Sequence, residues 1–216
     1  TDQNAFLISA LLSASIILKD EDIKEIAIQK FKILKEKVSG KIFHCYQSDE
    51  IDVFLEDHVF YSKLLLNLYE IDGKKEYLDE ASKIMVEAWN MFYDEKSKLL
   101  QKNPIKRNDL FVSPVDLNDN NIPNGNSVYL TQLNKLYYIT NDKHWSEKSQ
   151  LLQQSFHQIL NSNFSQMFSF VKALDMYHET ISFTFYGENK EIKEIKNHLL
   201  KNYLDRAVFI YKIDNS

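Results

Sequence analysis

The chain is poor in the residues that interrupt helices or cross-link a fold. Its 216 residues include four glycines, three prolines and one cysteine, Cys45. The scarcity of glycine and proline excludes a low-complexity or collagen-like chain and favours long helices. A single cysteine excludes an internal disulfide and a metal site built of several thiolates. It is typical of a protein from a reducing compartment, and we expect a cytoplasmic location.

Neither the charge nor the hydrophobic runs point to a nucleic acid or a membrane. The formal net charge is −5 and the pI is about 5.7, so we expect no general attraction to polyanions. The apolar run from Ala5 to Leu18 is shorter than the roughly 20 residues that a helix needs to cross a bilayer. It also lacks the basic start and cleavage site of a signal peptide. We therefore predict neither a nucleic-acid partner nor a membrane partner.

Three short joints with a common pattern indicate helical hairpins. In each joint a bulky residue is followed four positions later by a small one, which places both on one helix face at a close contact. The connections at the other end of the hairpins are long, covering roughly residues 38–49 and 93–126. Long irregular connections on a rigid scaffold are where functional sites usually lie. The bulky and small pairs are Ile23 and Ala27, Tyr77 and Ala81, and Trp145 and Ser149.

Apolar periodicity predicts seven helices, followed by a strand, a helix and a second strand. The first, third and fifth helices are apolar nearly all round and the even-numbered ones are amphipathic, as expected for the inner and outer rings of an α/α toroid. We predict a mainly α fold, with a partial α/α toroid of helical hairpins over residues 1–178 and a small C-terminal β-α-β appendage with parallel strands over residues 179–216. The helices are predicted at 4–18, 22–38, 51–69, 75–92, 127–138, 143–160 and 165–177, and the appendage at 181–186, 188–201 and 207–211.

In such a ring the inner helices run parallel, so their N-termini meet beside the long connections. Residues expected there include Asn4, Asn126, Ser127 and Gln166, which we predict to bind substrate. Gly125 permits tight backbone geometry at the start of the fifth helix, and Asn126 or Ser127 is predicted to cap it. Free amides at that helix terminus could also bind a sugar hydroxyl or an anion.

The acidic pair Glu56-Asp57 allows two interpretations. Acidic residues at a helix N-terminus cap the helix and favour the positive end of its dipole. Alternatively, one of them is a general acid or base in a sugar cleft, where glycoside hydrolysis uses two carboxyl groups that flank the bond. The second carboxyl group would be Asp116 or Asp119 on the long connection. We predict Asp57 as the first catalytic residue, with Glu56 and Asp116 as further candidates.

His58 is a fourth catalytic candidate. Imidazole titrates near neutrality and could serve as a general base; the alternative is a partly buried histidine bonded to a neighbour. A nucleophilic pair of His44 and Cys45 is disfavoured because adjacent residues rarely face each other. The six histidines show no paired metal-ligand spacing, and we predict neither a metal nor a cofactor.

An ordered set of short segments resembles one family. Residues 4–11 resemble a WNGLMISAL-like segment, residues 54–60 an FLDDYAF-like segment and residues 122–128 a PSGNSV-like motif, while residues 164–167 and 173–177 resemble a helix-seven signature. The same order occurs in thioredoxin-domain-containing proteins similar to spermatogenesis-associated protein 20 and its bacterial relatives. The resemblance implies a thioredoxin-like domain followed by an (α/α)6 toroid, similar to those of N-acylglucosamine 2-epimerase and six-hairpin glycosidases.

This chain lacks a Cys-x-x-Cys motif and the early hairpins of the toroid, so it would be the C-terminal half of such a protein. The resemblance implies a carbohydrate ligand and an isomerase or glycosidase activity; the alternative is a non-catalytic scaffold or interaction module. An incomplete ring would leave the first and seventh helices as open apolar edges, which mark interfaces. We therefore expect the missing N-terminal half of the toroid, a homo-oligomer or a second chain as partner.

Overall fold

The computed structural model describes residues 1–45, 53–106, 114–187, 190–203 and 207–212, with only the backbone at 157–163 and 203. Within these ranges the fold is mainly α, as predicted, with eight α-helices and two small sheets. The helices are α1 (Asp2–Leu18), α2 (Glu21–Lys37), α3 (Leu55–Asp72), α4 (Lys75–Phe92), α5 (Gly125–Thr140), α6 (Lys143–Asn163), α7 (Phe168–Glu179) and α8 (Lys190–Tyr203). The strands are β1 (Tyr93–Asp94), β2 (Leu99–Leu100), β3 (Ile181–Tyr186) and β4 (Ala207–Lys212).

Helices α1 to α6 form three hairpins, α1 with α2, α3 with α4 and α5 with α6. Helix α3 also packs between α1 and α5, and α5 packs between α3 and α7. Helices α3 and α5 are buried along most of their length, whereas α4 buries one face. The predicted division into inner and outer helices is therefore confirmed for this part of the ring. None of the described helices is long and apolar enough to span a membrane.

The short joints position the small residues as their spacing predicts. Ala81 and Ser149 are fully buried, and their bulky partners Tyr77 and Trp145 are also buried. Helix α3 ends at Gly73, which adopts a left-handed conformation with φ of 73°. A Cβ atom on Gly73 would lie 2.9 Å from the Tyr211 ring. Glycine is therefore required here both for the backbone conformation and for the close approach of β4.

The C-terminal appendage is the predicted strand-helix-strand unit. Strands β3 and β4 pair in parallel, with Ile181 opposite Ala207. The unit packs against the C-terminal end of α3, where the Tyr69 and Tyr211 rings meet edge to face and the Lys196 Nζ donates to the Ile71 carbonyl at 2.9 Å. The sequence did not predict the antiparallel β1–β2 hairpin, which lies inside the long connection after α4. Two residues in each strand are too few to produce a periodic pattern.

Candidate functional site

The N-termini of the inner helices converge, as predicted. The Asp2 N–H of α1 donates to Asp57 Oδ1 of α3 at 3.2 Å. Gly125, the first residue of α5, lies so close to α3 that an added Cβ would be 3.0 Å from the Leu55 side chain and 3.1 Å from Glu56 Oε1. Glycine at this position lets the start of α5 reach the start of α3.

Asp57 occupies the centre of this junction. Its carboxylate is fully buried and accepts the Phe54 N–H at 3.0 Å as well as the Asp2 N–H. His44 Nδ1 lies 3.2 Å from Asp57 Oδ1. Both carboxylate oxygens therefore accept hydrogen bonds from backbone N–H groups, as the helix-capping interpretation predicts. Asp57 does not belong to the cleft wall described next, and its catalytic role remains a prediction.

Asp2, His44 and Asp57 also present oxygen and nitrogen atoms that lie within 4.8 Å of one another. Carboxylate and imidazole are both metal ligands. However, Asp57 Oδ1 already accepts a backbone hydrogen bond, and this cluster does not by itself define a metal site.

An open cleft of about 550 Å³ lies between the N-termini of α1 and α3 and the connection that leads into α5. The structure brings two predicted catalytic residues, Glu56 and Asp116, into its wall. Sequence reasoning did not predict Lys102 or the accompanying asparagines at the site, and it considered His44 only as a partner of Cys45. The complete lining is Asp2, Gln3, His44, Phe54, Glu56, Lys102, Asp116, Asn118, Asn120, Asn121, Ile122, Pro123 and Asn124.

Glu56 is the cleft carboxyl group with the most perturbed environment. Burial raises the pKa of Glu56, the negative charges of Asp116 and Asp57 raise it further, and Lys102 opposes them. Glu56 Oε2 is buried and has no hydrogen-bond partner among the described residues. A carboxyl group in such a site keeps its proton to higher pH than usual, which suits a general acid.

Asp116 is a half-buried residue of the cleft wall, and its backbone is bonded to Asn126. Asp116 Oδ1 accepts the Asn118 N–H at 3.2 Å, and the Asp116 carbonyl accepts from Asn126 Nδ2 at 3.3 Å. The Asn126 amide also accepts the Leu100 N–H at 2.9 Å and donates to the Leu100 carbonyl at 2.8 Å. Asn126 is buried and does not line the cleft. Its hydrogen bonds position the chain behind the wall, and substrate binding by Asn126 remains a prediction.

The predicted cap of α5 is wrong by two or three residues. The helix begins at Gly125, and Asn124 is its N-cap, with its side-chain oxygen accepting the Ser127 N–H at 2.9 Å. The Asn124 amide also donates to the Leu117 carbonyl and to Asp119 Oδ1, both at 3.0 Å. These tertiary bonds fix Asn124 in the extended conformation of an N-cap, while Ser127 is fully buried in the first turn.

Asp119, the alternative second carboxyl group, connects α5 to α7. Its Oδ1 accepts the Asn124 N–H at 2.9 Å and its Oδ2 accepts the Ser169 N–H at 2.6 Å. Its own N–H donates to the Gln166 carbonyl at 2.7 Å. The Gln166 and Asn4 side chains are exposed, and neither lines the cleft. Substrate binding by Asn4 and Gln166 remains a prediction.

His58 is buried outside the cleft. Its ring packs edge to face on Phe92 at 5.2 Å between centroids, and its Nδ1 lies 3.4 Å from the Phe54 carbonyl. Burial lowers the pKa of His58, against the opposing charge of Glu87. His58 thus has the environment described by the second interpretation of the sequence, in which it is a buried histidine bonded to a neighbour. A role as general base remains a prediction.

Comparisons with known proteins place this geometry in a recognised fold. A GH76 alpha-mannanase from Bacteroides thetaiotaomicron superposes with a TM-score of 0.63 at 16% identity, over 92% of this chain and 56% of that chain. An inactive variant of the GH76A alpha-1,6-mannanase from Salegentibacter sp. HEL1_6, in complex with alpha-1,6-mannotriose, gives 0.58 at 18% identity, over 72% and 46%. The fold is therefore that of six-hairpin α/α toroid glycosidases, and the chain spans about half the length of these solved structures.

Sequence comparison adds one curated relative. Metacaspase-1 of Plasmodium falciparum (isolate 3D7) is 28% identical over 162 residues, which cover 64% of this chain and 24% of that protein. No family model matches the chain. Membership in the thioredoxin-linked family that the short motifs resemble remains a prediction.

Proposed function

We propose that this chain forms one wall of a carbohydrate-binding cleft in an α/α toroid, and that Glu56 is a general acid for glycoside hydrolysis. The observation that carries the proposal is the environment of Glu56: a buried carboxyl oxygen without a partner, a raised pKa and a place in the cleft wall with Asp116. The solved neighbours support it, because one is described as an alpha-1,6-mannanase complex with mannotriose, inactivated by replacing two aspartates.

The arrangement suggests a role for each group. Protonated Glu56 gives its proton to the glycosidic oxygen as the bond from that oxygen to the anomeric carbon breaks. Ionised Asp116 takes a proton from the water molecule that attacks the anomeric carbon. Lys102, also in the wall, lowers the pKa of Glu56 and so opposes the effect of burial, which raises it. The exposed side chains of Asn120 and Asn121 in the wall offer amide donors and acceptors to sugar hydroxyls.

Two other activities fit the cleft less well. An isomerase that uses a histidine base would need a free imidazole in the wall. His58 does not lie there, and the His44 imidazole, which does, has its Nδ1 3.2 Å from Asp57 Oδ1. A cysteine peptidase, suggested by the name of the curated relative, would need a histidine facing Cys45. Cys45 is exposed, and the His44 imidazole is directed to Asp57. A non-catalytic interaction module remains the second candidate, and the large exposed apolar side chains of Leu7 on α1 and Phe168 on α7 favour it.

Binding and hydrolysis can be tested with the ligands of the solved neighbours. Isothermal titration calorimetry with alpha-1,6-mannotriose measures binding, and release of reducing ends from an alpha-1,6-mannan measures turnover. We expect Glu56→Gln to retain binding and to lower the rate at least a hundredfold, since general acid catalysis contributes about 10²–10⁴. The matched control is Glu147→Gln, which alters an exposed carboxyl group on the outer helix α6. Binding without turnover by the wild-type protein would favour the interaction module, and absence of binding would refute the carbohydrate proposal.

A further inference from the structure

A second concave surface, which we call the inner groove, is formed by helices α1, α3, α5 and α7. It consists of two adjoining pockets that share Lys63 and Asn67 of α3. The first pocket has a volume of about 100 Å³ and extends to α5 and α7. The second has a volume of about 170 Å³ and extends to α1. Pro123 lines both the first pocket and the cleft, so the inner groove adjoins the cleft just before α5.

Each pocket of the inner groove contains a buried polar atom that has no hydrogen-bond partner among the described residues. Gln132 lines the first pocket and is 1% exposed, and its Oε1 lacks a partner. Ser9 lines the second pocket and is 4% exposed, and its Oγ lacks a partner. A buried polar atom without a partner costs free energy. These two atoms therefore indicate a ligand that brings hydrogen-bonding groups to both pockets.

The hydrogen-bonding capacity of these side chains favours a ligand that carries hydroxyl groups. Gln132 Oε1 can only accept a hydrogen bond, whereas Ser9 Oγ can both donate and accept. Asn67 is buried, belongs to both pockets and offers an amide donor and acceptor between them. A hydroxyl group also donates and accepts, so a chain with several hydroxyl groups suits both pockets. Phe6 in the second pocket and Met176 in the first offer apolar surface to the C–H groups of such a chain.

The lysines of the inner groove give less support to an anionic ligand. Lys135 is paired with Glu70, with 2.6 Å between Nζ and Oε2. Lys63 Nζ lies 5.7 Å from the centroid of the Phe6 ring, where the ring face attracts its charge. Only one lysine of the lining that the structure describes, Lys172, is fully exposed. A neutral ligand is therefore favoured over a charged one.

We propose that the inner groove binds a neutral oligosaccharide that is long enough to reach both pockets, with hydroxyl groups bonded to Gln132 Oε1 and Ser9 Oγ. The proposal rests on the proposed function for the class of ligand, and it adds a binding surface beyond the cleft wall. Because the two surfaces adjoin at Pro123, a sugar chain in the inner groove leads towards the cleft that contains Glu56.

Nuclear magnetic resonance of the isotope-labelled protein tests this proposal with alpha-1,6-mannotriose, the ligand named for one solved neighbour. The side-chain amide signals of Gln132 and Asn67 report on the inner groove. Those of Asn120 and Asn121 report on the cleft. We expect the signals of Gln132 and Asn67 to shift in a saturable manner as the sugar is added.

Gln132→Met removes the unpartnered oxygen while it keeps a side chain of similar length. We expect the affinity measured from the Asn67 signal to fall by about fivefold or more, which corresponds to the net loss of one hydrogen bond. The Tm should stay the same or rise, because a buried atom without a partner is removed. The matched control is Gln154→Met on the exposed face of α6, which should leave the affinity unchanged. Ser9→Ala is a second variant that should also weaken binding in the inner groove.

Three outcomes would overturn the proposal. In the first, the sugar shifts the cleft signals but not the groove signals, and the proposed function stands without this surface. In the second, inorganic phosphate shifts the groove signals as strongly as the sugar does, which identifies a small-anion site. In the third, neither Gln132→Met nor Ser9→Ala changes the affinity, so these side chains do not contact the sugar. Shifts of the groove signals alone would support this proposal and contradict binding in the cleft, so the two proposals can fail separately.

Discussion

Asn126 offers the sharpest test of how the cleft is held in place. Its side chain makes two hydrogen bonds to the backbone of Leu100 and one to the Asp116 carbonyl. Both Asn126 and Leu100 are buried. In Asn126→Ala, the Leu100 N–H and carbonyl lose their partner while they remain buried. Each unsatisfied group costs about 1–3 kcal/mol, so we expect the free energy of unfolding to fall by about 2–6 kcal/mol.

Urea denaturation followed by circular dichroism measures this loss. The matched control is Asn90→Ala, which removes an exposed amide on the outer face of α4 and should change stability by less than about 0.5 kcal/mol. A loss below about 1 kcal/mol for Asn126→Ala would refute the reasoning, because it would mean that the Leu100 backbone groups find other partners.

Asn126→Asp separates hydrogen bonding from side-chain volume. One oxygen of the introduced carboxyl group can still accept the Leu100 N–H, but the other, when ionised, faces the Leu100 carbonyl. When protonated it can donate to that carbonyl, so the pKa of the introduced group should be raised in the folded state. The variant should therefore be most stable in acid and lose stability as the pH rises through that pKa. A pH dependence parallel to that of the wild-type protein would contradict this prediction.

Three further predictions concern buried ionisable groups. Lys135→Met removes the ion pair of Lys135 with the fully buried Glu70 carboxylate, and we expect the free energy of unfolding, measured by urea denaturation, to fall by about 3–5 kcal/mol. Adding Glu70→Leu to this variant should restore most of that free energy. Equal losses in the single and the double variant would contradict this prediction. Burial raises the pKa of Glu56 above its usual 4.5. The wild-type protein should therefore lose stability relative to Glu56→Gln as the pH rises through the raised pKa. A stability difference between the two proteins that does not change with pH would refute the raised pKa of Glu56. Because burial lowers the pKa of His58 below 6.5, the wild-type protein should lose stability relative to His58→Gln as the pH falls below 6.5, which thermal unfolding across pH 5–8 would show.

The hairpin array is visible in the sequence because local patterns encode it. The pairs Tyr77 with Ala81 and Trp145 with Ser149 lie one helical turn apart, and both are buried at the joints where the pattern placed them. The parallel order of the inner helices follows from alternating hairpins with short joints. The convergence of their N-termini can therefore be predicted without knowledge of individual contacts. This prediction placed Glu56 and Asp57 at the correct end of the fold.

The roles of the residues at that end depend on contacts between segments distant in sequence. Glu56 and Asp57 are adjacent, yet Asp57 turns inward to the backbone of α1, while Glu56 faces the cleft. Asn126 looks like a cap or a ligand in the sequence, but its partner is Leu100, which belongs to a hairpin that no periodic pattern predicts. Neither assignment can be made from spacing along one helix.

The sequence by itself determined the helical class, the hairpin joints, the parallel appendage and the end of the ring where polar residues gather. These features depend on periodicity and on glycine at a few turns, which are properties of consecutive residues. Only the tertiary structure decided that Glu56 and Asp116 share a cleft wall and that Asp119 and Asn126 hold the surrounding chain in place. Those assignments depend on which buried groups satisfy each other, and hydrogen bonds between segments tens of residues apart leave no periodic trace in the sequence.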